Sequence, residues 1–146
     1  MSATLVLDPP ATVTIRKATT DDIDGIVAMA QRFIGTTAYG GDVPDDATHL
    51  QRVTEQLLTL GVVFVAERNG ELVGMICGLV YPHYMTTRQT ASETAWWVEP
   101  SARGTRVARD LLQAFEGWAQ QAGAVCVEIG SWHERLDGFY RRLGYT

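Results

Sequence analysis

Hydrophobic and polar positions change period several times along the chain, and each change marks an element. Thr12 to Arg16 (TVTIR) alternates β-branched and polar residues, which predicts a strand. Thr19-Thr20-Asp21-Asp22 is a helix-start signal, with Thr19 three residues ahead of Asp22. Ile23, Ile26, Val27, Ala30, Phe33 and Ile34 follow at helical spacing. A polar turn stretch over residues 35–46 ends that helix. A second helix fits Ala47 to Leu60, with Leu50, Val53, Leu57 and Leu60 on one face and Gly61 as its stop. Val62 to Glu67 then reads as a buried strand, Asn69-Gly70 as a hairpin turn, and Leu72 to Val80 as the returning strand. A loop with Pro82, His83 and Tyr84 precedes a third strand at Thr94 to Val98. Val107, Leu111, Phe115, Trp118 and Ala122 share one face of a long helix stopped by Gly123. Val125 to Ile129 is a further strand. Leu136, Phe139, Tyr140 and Leu143 mark a last helix, stopped by Gly144.

The strand–helix–strand run from residue 94 to 129 predicts a right-handed parallel crossover in a mixed sheet. The fold class is therefore α+β, of the mixed α/β three-layer type. Residues 1–11 read as an N-terminal arm ending in Pro9-Pro10, and residues 12–146 as a single domain. A chain of 146 residues buries enough surface to build its own core.

Composition narrows the function. The net charge of −5 argues against a surface that clings to nucleic acid or anionic lipid. The longest apolar run, Leu72 to Pro82, is too short to span a bilayer, so no membrane partner is expected. No basic, apolar leader opens the chain, which predicts a cytoplasmic protein. Cys77 and Cys126 both sit in apolar runs and read as two buried thiols. Two cysteines and three histidines lie scattered, with no ligand spacing, so no metal is expected.

One stretch carries chemistry: Val98-Glu99-Pro100-Ser101-Ala102-Arg103-Gly104-Thr105-Arg106-Val107-Ala108. It joins a buried strand to the long helix. Such a junction aims several amides and the helix dipole at one spot. Gly104 lets backbone approach a ligand, and Arg103, Arg106 and Arg109 add cations with no acid between them. A pyrophosphate needs this combination. The plainer alternative is a solvated helix start with an ordinary turn glycine.

V-x-P-x-x-R-G-T-R-V-A-x-x-L-L resembles the acetyl-CoA-binding motif of the GNAT superfamily of N-acetyltransferases. Phe139-Tyr140-Arg141-Arg142-Leu143-Gly144-Tyr145 is similar to that family's second signature, and TIRKATTDDIDGIVAM resembles its first strand and helix. The resemblance implies a central, mostly antiparallel sheet with a splayed parallel strand pair and helices on both faces. It implies acetyl-CoA as cosubstrate, held by residues Arg103, Gly104, Thr105, Arg106, Val107 and Ala108, with the backbone of Trp97 and Val98 along the pantetheine arm. It implies direct acetyl transfer to a small-molecule or peptide amine. Tyr140 would be the acid for the departing thiolate, against a plain core role beside Phe139. Glu93 would be the base, against a strand-edge surface role. Glu128, His83 and His133 are further candidates, and Trp96, Trp97, Tyr39, Tyr81 and Tyr84 candidate acceptor walls. Asp42, Asp45 and Asp46 lie where relatives shape the acceptor site and would attract a cationic amine.

Three departures stand out. Arg106 replaces the pattern's central glycine, and His133 replaces a common asparagine. The chain stops at Thr146, where relatives continue into one or two strands, so C-terminal strands are expected to be absent or supplied by a partner. A non-catalytic module that binds CoA or a protein fits the substitution and the early stop as well. Relatives often dimerise, so a homodimer stands among the expected states.

Overall fold

The computed structural model describes residues 2–7, 12–37, 46–130 and 134–146, with residues 134–136 by backbone only. Five strands form one sheet in sequential order: β1 (Val13–Lys17), β2 (Val62–Arg68), β3 (Glu71–Pro82), β4 (Gln89–Val98) and β5 (Cys126–Glu128). β1 to β4 pair antiparallel, and β5 joins β4 in parallel. The helices are α1 (Ile23–Gly35), α2 (Ala47–Leu60), α3 (Val107–Gln121) and α4 (Glu134–Arg142).

Alternation along β2 sorts the core into two layers. Val63 and Val65 pack with Ile26 and Met29 of α1 and with Met75, Cys77 and Trp97. Phe64 and Ala66 pack with Leu111, Leu112 and Phe115 of α3. The expected three-layer arrangement is thus present. Gly78 makes the second layer possible. A β-carbon there would lie 2.6 Å from the ring of Phe115, so α3 sits as close as it does because that side chain is missing.

The start of α1 follows its sequence signal. Thr19 and Asp22 form a reciprocal capping box around a 3-10 turn, Thr20–Asp22. Asp22 also takes two hydrogen bonds from Arg16, at 2.7 and 2.9 Å, while Arg16 Nε donates to Glu67 at 2.8 Å. One guanidinium therefore ties β1, β2 and the entry to α1. At the hairpin, Asn69 (φ 53°) and Gly70 (φ 78°) take the left-handed conformations that such a two-residue turn needs.

Three expectations change. β4 begins at Gln89, five residues ahead of the predicted Thr94. Its added part, QTASE, shows no apolar alternation because Thr90 and Ala91 are small residues buried between neighbouring strands. β5 spans only Cys126–Glu128, and Cys126 is exposed, not buried. β5 lies at the edge of the sheet, where its outward side chains have no layer above them. Among the described residues, no helix is long and apolar enough to cross a membrane. Pro9-Pro10, Tyr39, Asp42, Asp45 and His133 lie outside the described residues.

Candidate active site

β4 and β5 pair only through Thr90–Cys126, Ala91–Val127 and Ser92–Glu128. Beyond Ser92 the two strands part. A cleft of about 400 Å³ opens there, with Glu93, Trp96, Trp97 and Val98 on the β4 side. Gly130 and Tyr140 face them, and Phe33, Thr36 and Thr37 close the α1 end.

A bulge sets which side chains meet. Cys77 pairs with Ala95 but Gly78 pairs with Glu93, so Thr94 is an extra residue in β4. Ala91, Trp96 and Val98 consequently share the α3 layer, although Ala91 and Trp96 are an odd number of residues apart. Glu93 follows Ala91 by two and opens toward Trp96 and Tyr140. Trp97 turns to the other layer, against Phe33 of α1 with ring centroids 5.7 Å apart. The two tryptophans thus face opposite ways, as adjacent strand residues should. Their indole N–H groups are buried with no acceptor among the described residues.

Glu93 accepts one hydrogen bond, from the Gly130 amide to Oε2 at 3.3 Å. Burial pushes its carboxyl up to about 7, and the Gly130 bond opposes that only in part. Tyr140 stacks on Trp96, with centroids 5.9 Å apart. Its hydroxyl reaches the Gly130 carbonyl at 3.5 Å, the outer limit of such a bond. Burial raises the phenol above its ordinary value, and the nearby charge of Glu93 adds to this. Gly130 therefore links the acid and the phenol, a role that no sequence signal marked.

The turn after β4 forms an amide cradle. A 3-10 turn over Pro100–Ala102 leads to Gly104 at φ 78°, and α3 begins at Val107. Thr105 Oγ1 donates to Ala102 O at 2.6 Å and accepts the Val107 amide at 3.3 Å. The amides of Gly104, Thr105, Arg106 and Ala108 donate to nothing among the described residues. Nothing lies within 4 Å of where a Gly104 β-carbon would stand, so the approach is open. Free amides at a helix start suit a pyrophosphate. Arg106 has φ −80° and ψ −1°, ordinary right-handed backbone that needs no glycine. Its side chain is 77% exposed and leans toward Asp110 at 3.8 Å. The ground for a non-catalytic module at this position falls away. Arg103 turns from the cradle: its guanidinium lies 4.7 Å over the Trp97 ring and its Nε donates to Val98 O at 3.0 Å. Val107 is buried in the core, so only its backbone faces this turn. Arg68 of β2 reaches Ser101 Oγ at 3.1 Å, a cation brought to the turn by pairing across the sheet.

A sequence profile of the acetyltransferase (GNAT) family matches residues 31–145. The chain belongs to that family. An aminoalkylphosphonate N-acetyltransferase of Salmonella typhimurium is 31% identical over 134 residues, which cover 90% of this chain and 83% of that protein. An aminoglycoside N(6')-acetyltransferase type 1 of Stenotrophomonas maltophilia is 32% identical over 123 residues, covering 81% and 73%. Among solved structures, an aminoglycoside N-acetyltransferase in complex with CoA superposes with a TM-score of 0.80 at 17% identity, over 97% of this chain and 92% of that one. The protein is an N-acetyltransferase of the GNAT family.

The other GNAT-derived candidates fall outside the cleft. Glu128 is exposed on β5 and accepts from Tyr81 Oη at 3.2 Å. His83 accepts the Met85 amide at 3.2 Å and stacks on exposed Tyr84, which is a turn-forming role.

Proposed function

We propose that this acetyltransferase moves an acetyl group from acetyl-CoA to the amine of a small molecule, with Glu93 as base and Tyr140 as acid. The observation that carries the reading is Glu93 itself. It is a half-buried carboxyl with a value near 7, inside the opening between two parted parallel strands. A base poised near neutral pH suits an amine that arrives protonated.

Acetyl-CoA, when bound, supplies an activated thioester. The free amides of Gly104, Thr105, Arg106 and Ala108 would hold its pyrophosphate, and the open edge of β4 at Trp97 and Val98 would run beside its arm. Glu93 Oε takes the proton from the incoming ammonium, leaving a neutral nucleophile. That nucleophile attacks the thioester carbonyl, so that a C–N bond forms as the C–S bond breaks. Tyr140 Oη, kept protonated by its raised value, gives a proton to the departing sulfur and regains one from the acylated nitrogen, and Glu93 returns its proton to solvent. The polar small-molecule amines named for the relatives support a small acceptor. Acetyl-CoA and two free thiols, Cys77 and Cys126, support a cytoplasmic setting.

Calorimetric titration with acetyl-CoA, followed by thiol release across aminoalkylphosphonates, aminoglycosides and simple amines, tests the reading. Binding and amine-dependent thiol release are expected. No binding at millimolar acetyl-CoA overturns it.

A further inference from the structure

A second cavity, of about 410 Å³, lies beneath α1 and α2. Ile26, Phe33, Val53, Leu57, Met75 and Cys77 supply its main walls. The polar groups deep in it are already settled. Thr54 donates its hydroxyl to Leu50 O at 2.8 Å within α2. Cys77 stays a neutral thiol because burial pushes it up to about 12. A site of this size and lining takes hydrocarbon in preference to water.

This cavity adjoins the acetyl-transfer cleft. Phe33 walls both, and its ring packs against Trp97 in the cleft. Along β4, Ala95 lines the apolar cavity while Glu93, Trp96 and Trp97 line the cleft. The floor is deep, with Ile26, Met75 and Cys77 almost fully covered. A floor this deep is out of reach of the face of a partner helix, so any occupant must be a slim one.

We propose that the apolar cavity receives the hydrocarbon body of the acceptor, so that alkyl- and arylalkylamines are preferred over polyhydroxylated amines. This inference rests on the acetyltransferase reading, with the amine end of the same molecule at Glu93.

The test is kcat/KM for acetylation of n-alkylamines from ethylamine to octylamine at saturating acetyl-CoA. The expected gain is roughly three- to fourfold per methylene until the cavity is full. Val53→Phe narrows the cavity and should lower the octylamine-to-ethylamine ratio about tenfold. Leu57→Ala deepens it and should move the optimum to a longer chain. Octan-1-ol, which has the body without the amine, should compete with octylamine. If Val53→Phe fails to fold, the Leu57→Ala profile and the octanol competition still decide. A flat chain-length profile with amines still acetylated overturns this inference alone. Failure to acetylate any amine, short or long, overturns the reading beneath it.

Discussion

Two carboxylates of this molecule show opposite treatments of a negative charge. Asp22 has both oxygens occupied, by the fork of Arg16 and the amide of Thr19. The hydrogen bonds from Arg16 hold its carboxyl below the ordinary range despite its burial. Glu93 has one amide, from Gly130, and no cation partner among the described residues. Burial lifts it to about 7. The first charge is consumed in joining β1, β2 and α1. The second is left available in a cleft. Partners, and not acidity as such, separate a structural carboxylate from a reactive one.

Removing the reactive carboxylate should have the largest effect. Glu93→Gln is expected to lower kcat/KM by about a hundredfold or more at pH 8, read by thiol release. In the parent enzyme kcat/KM should rise through about pH 7 as Glu93 ionises, and the variant should lose that limb. Tyr140→Phe is expected to lower kcat roughly tenfold to a hundredfold with little change in acetyl-CoA affinity measured by calorimetry.

Breaking the structural carboxylate should act on stability alone. Asp22→Asn is expected to cost about 2 kcal/mol in urea unfolding, with kcat/KM per folded molecule retained. The parent's Asp22 contribution is present above the ordinary value of 3.8 and fades as pH falls through its lower folded value. Glu93 runs the other way. Between its ordinary value of 4.5 and about 7 the folded chain still holds a proton that the unfolded chain has released, so ionisation costs stability as pH rises. Glu93→Gln should therefore be more stable than the parent at pH 8, by on the order of 2 kcal/mol, and equal to it near pH 4. The smallest effect should come from Arg106→Ala. A solvated side chain beside free amides is expected to change the acetyl-CoA Kd only about two- to threefold.

Much of this was legible in the chain. Thr19 and Asp22 announced the cap, Asn69-Gly70 the hairpin, and Gly61 and Gly123 the helix ends, because each is a local preference. Glu93 and Tyr140 were legible as candidates through their motif positions. What brings them near one another was not. Gly130 joins them through backbone atoms, which carry no residue signature. Arg68, Arg103 and the apolar cavity depend on pairing across the sheet or on packing between helices. The burial of Thr90 and Ala91 was hidden because small residues give no periodic signal.

The extra residue at Thr94 works like a parity switch. A period-two strand assigns each side chain to a layer by odd or even count, and one unpaired residue resets that count. With it, the acid at 93 keeps company with Trp96 while Trp97 anchors α1. Deleting Thr94 itself would leave a regular ladder, with Glu93 still opposite Gly78 and Ala95 still opposite Cys77, so both indoles would keep their layers. Deleting a paired residue of β4 instead would put the count out of step with its partners. The site should therefore tolerate the loss of Thr94 better than the loss of any paired residue of β4.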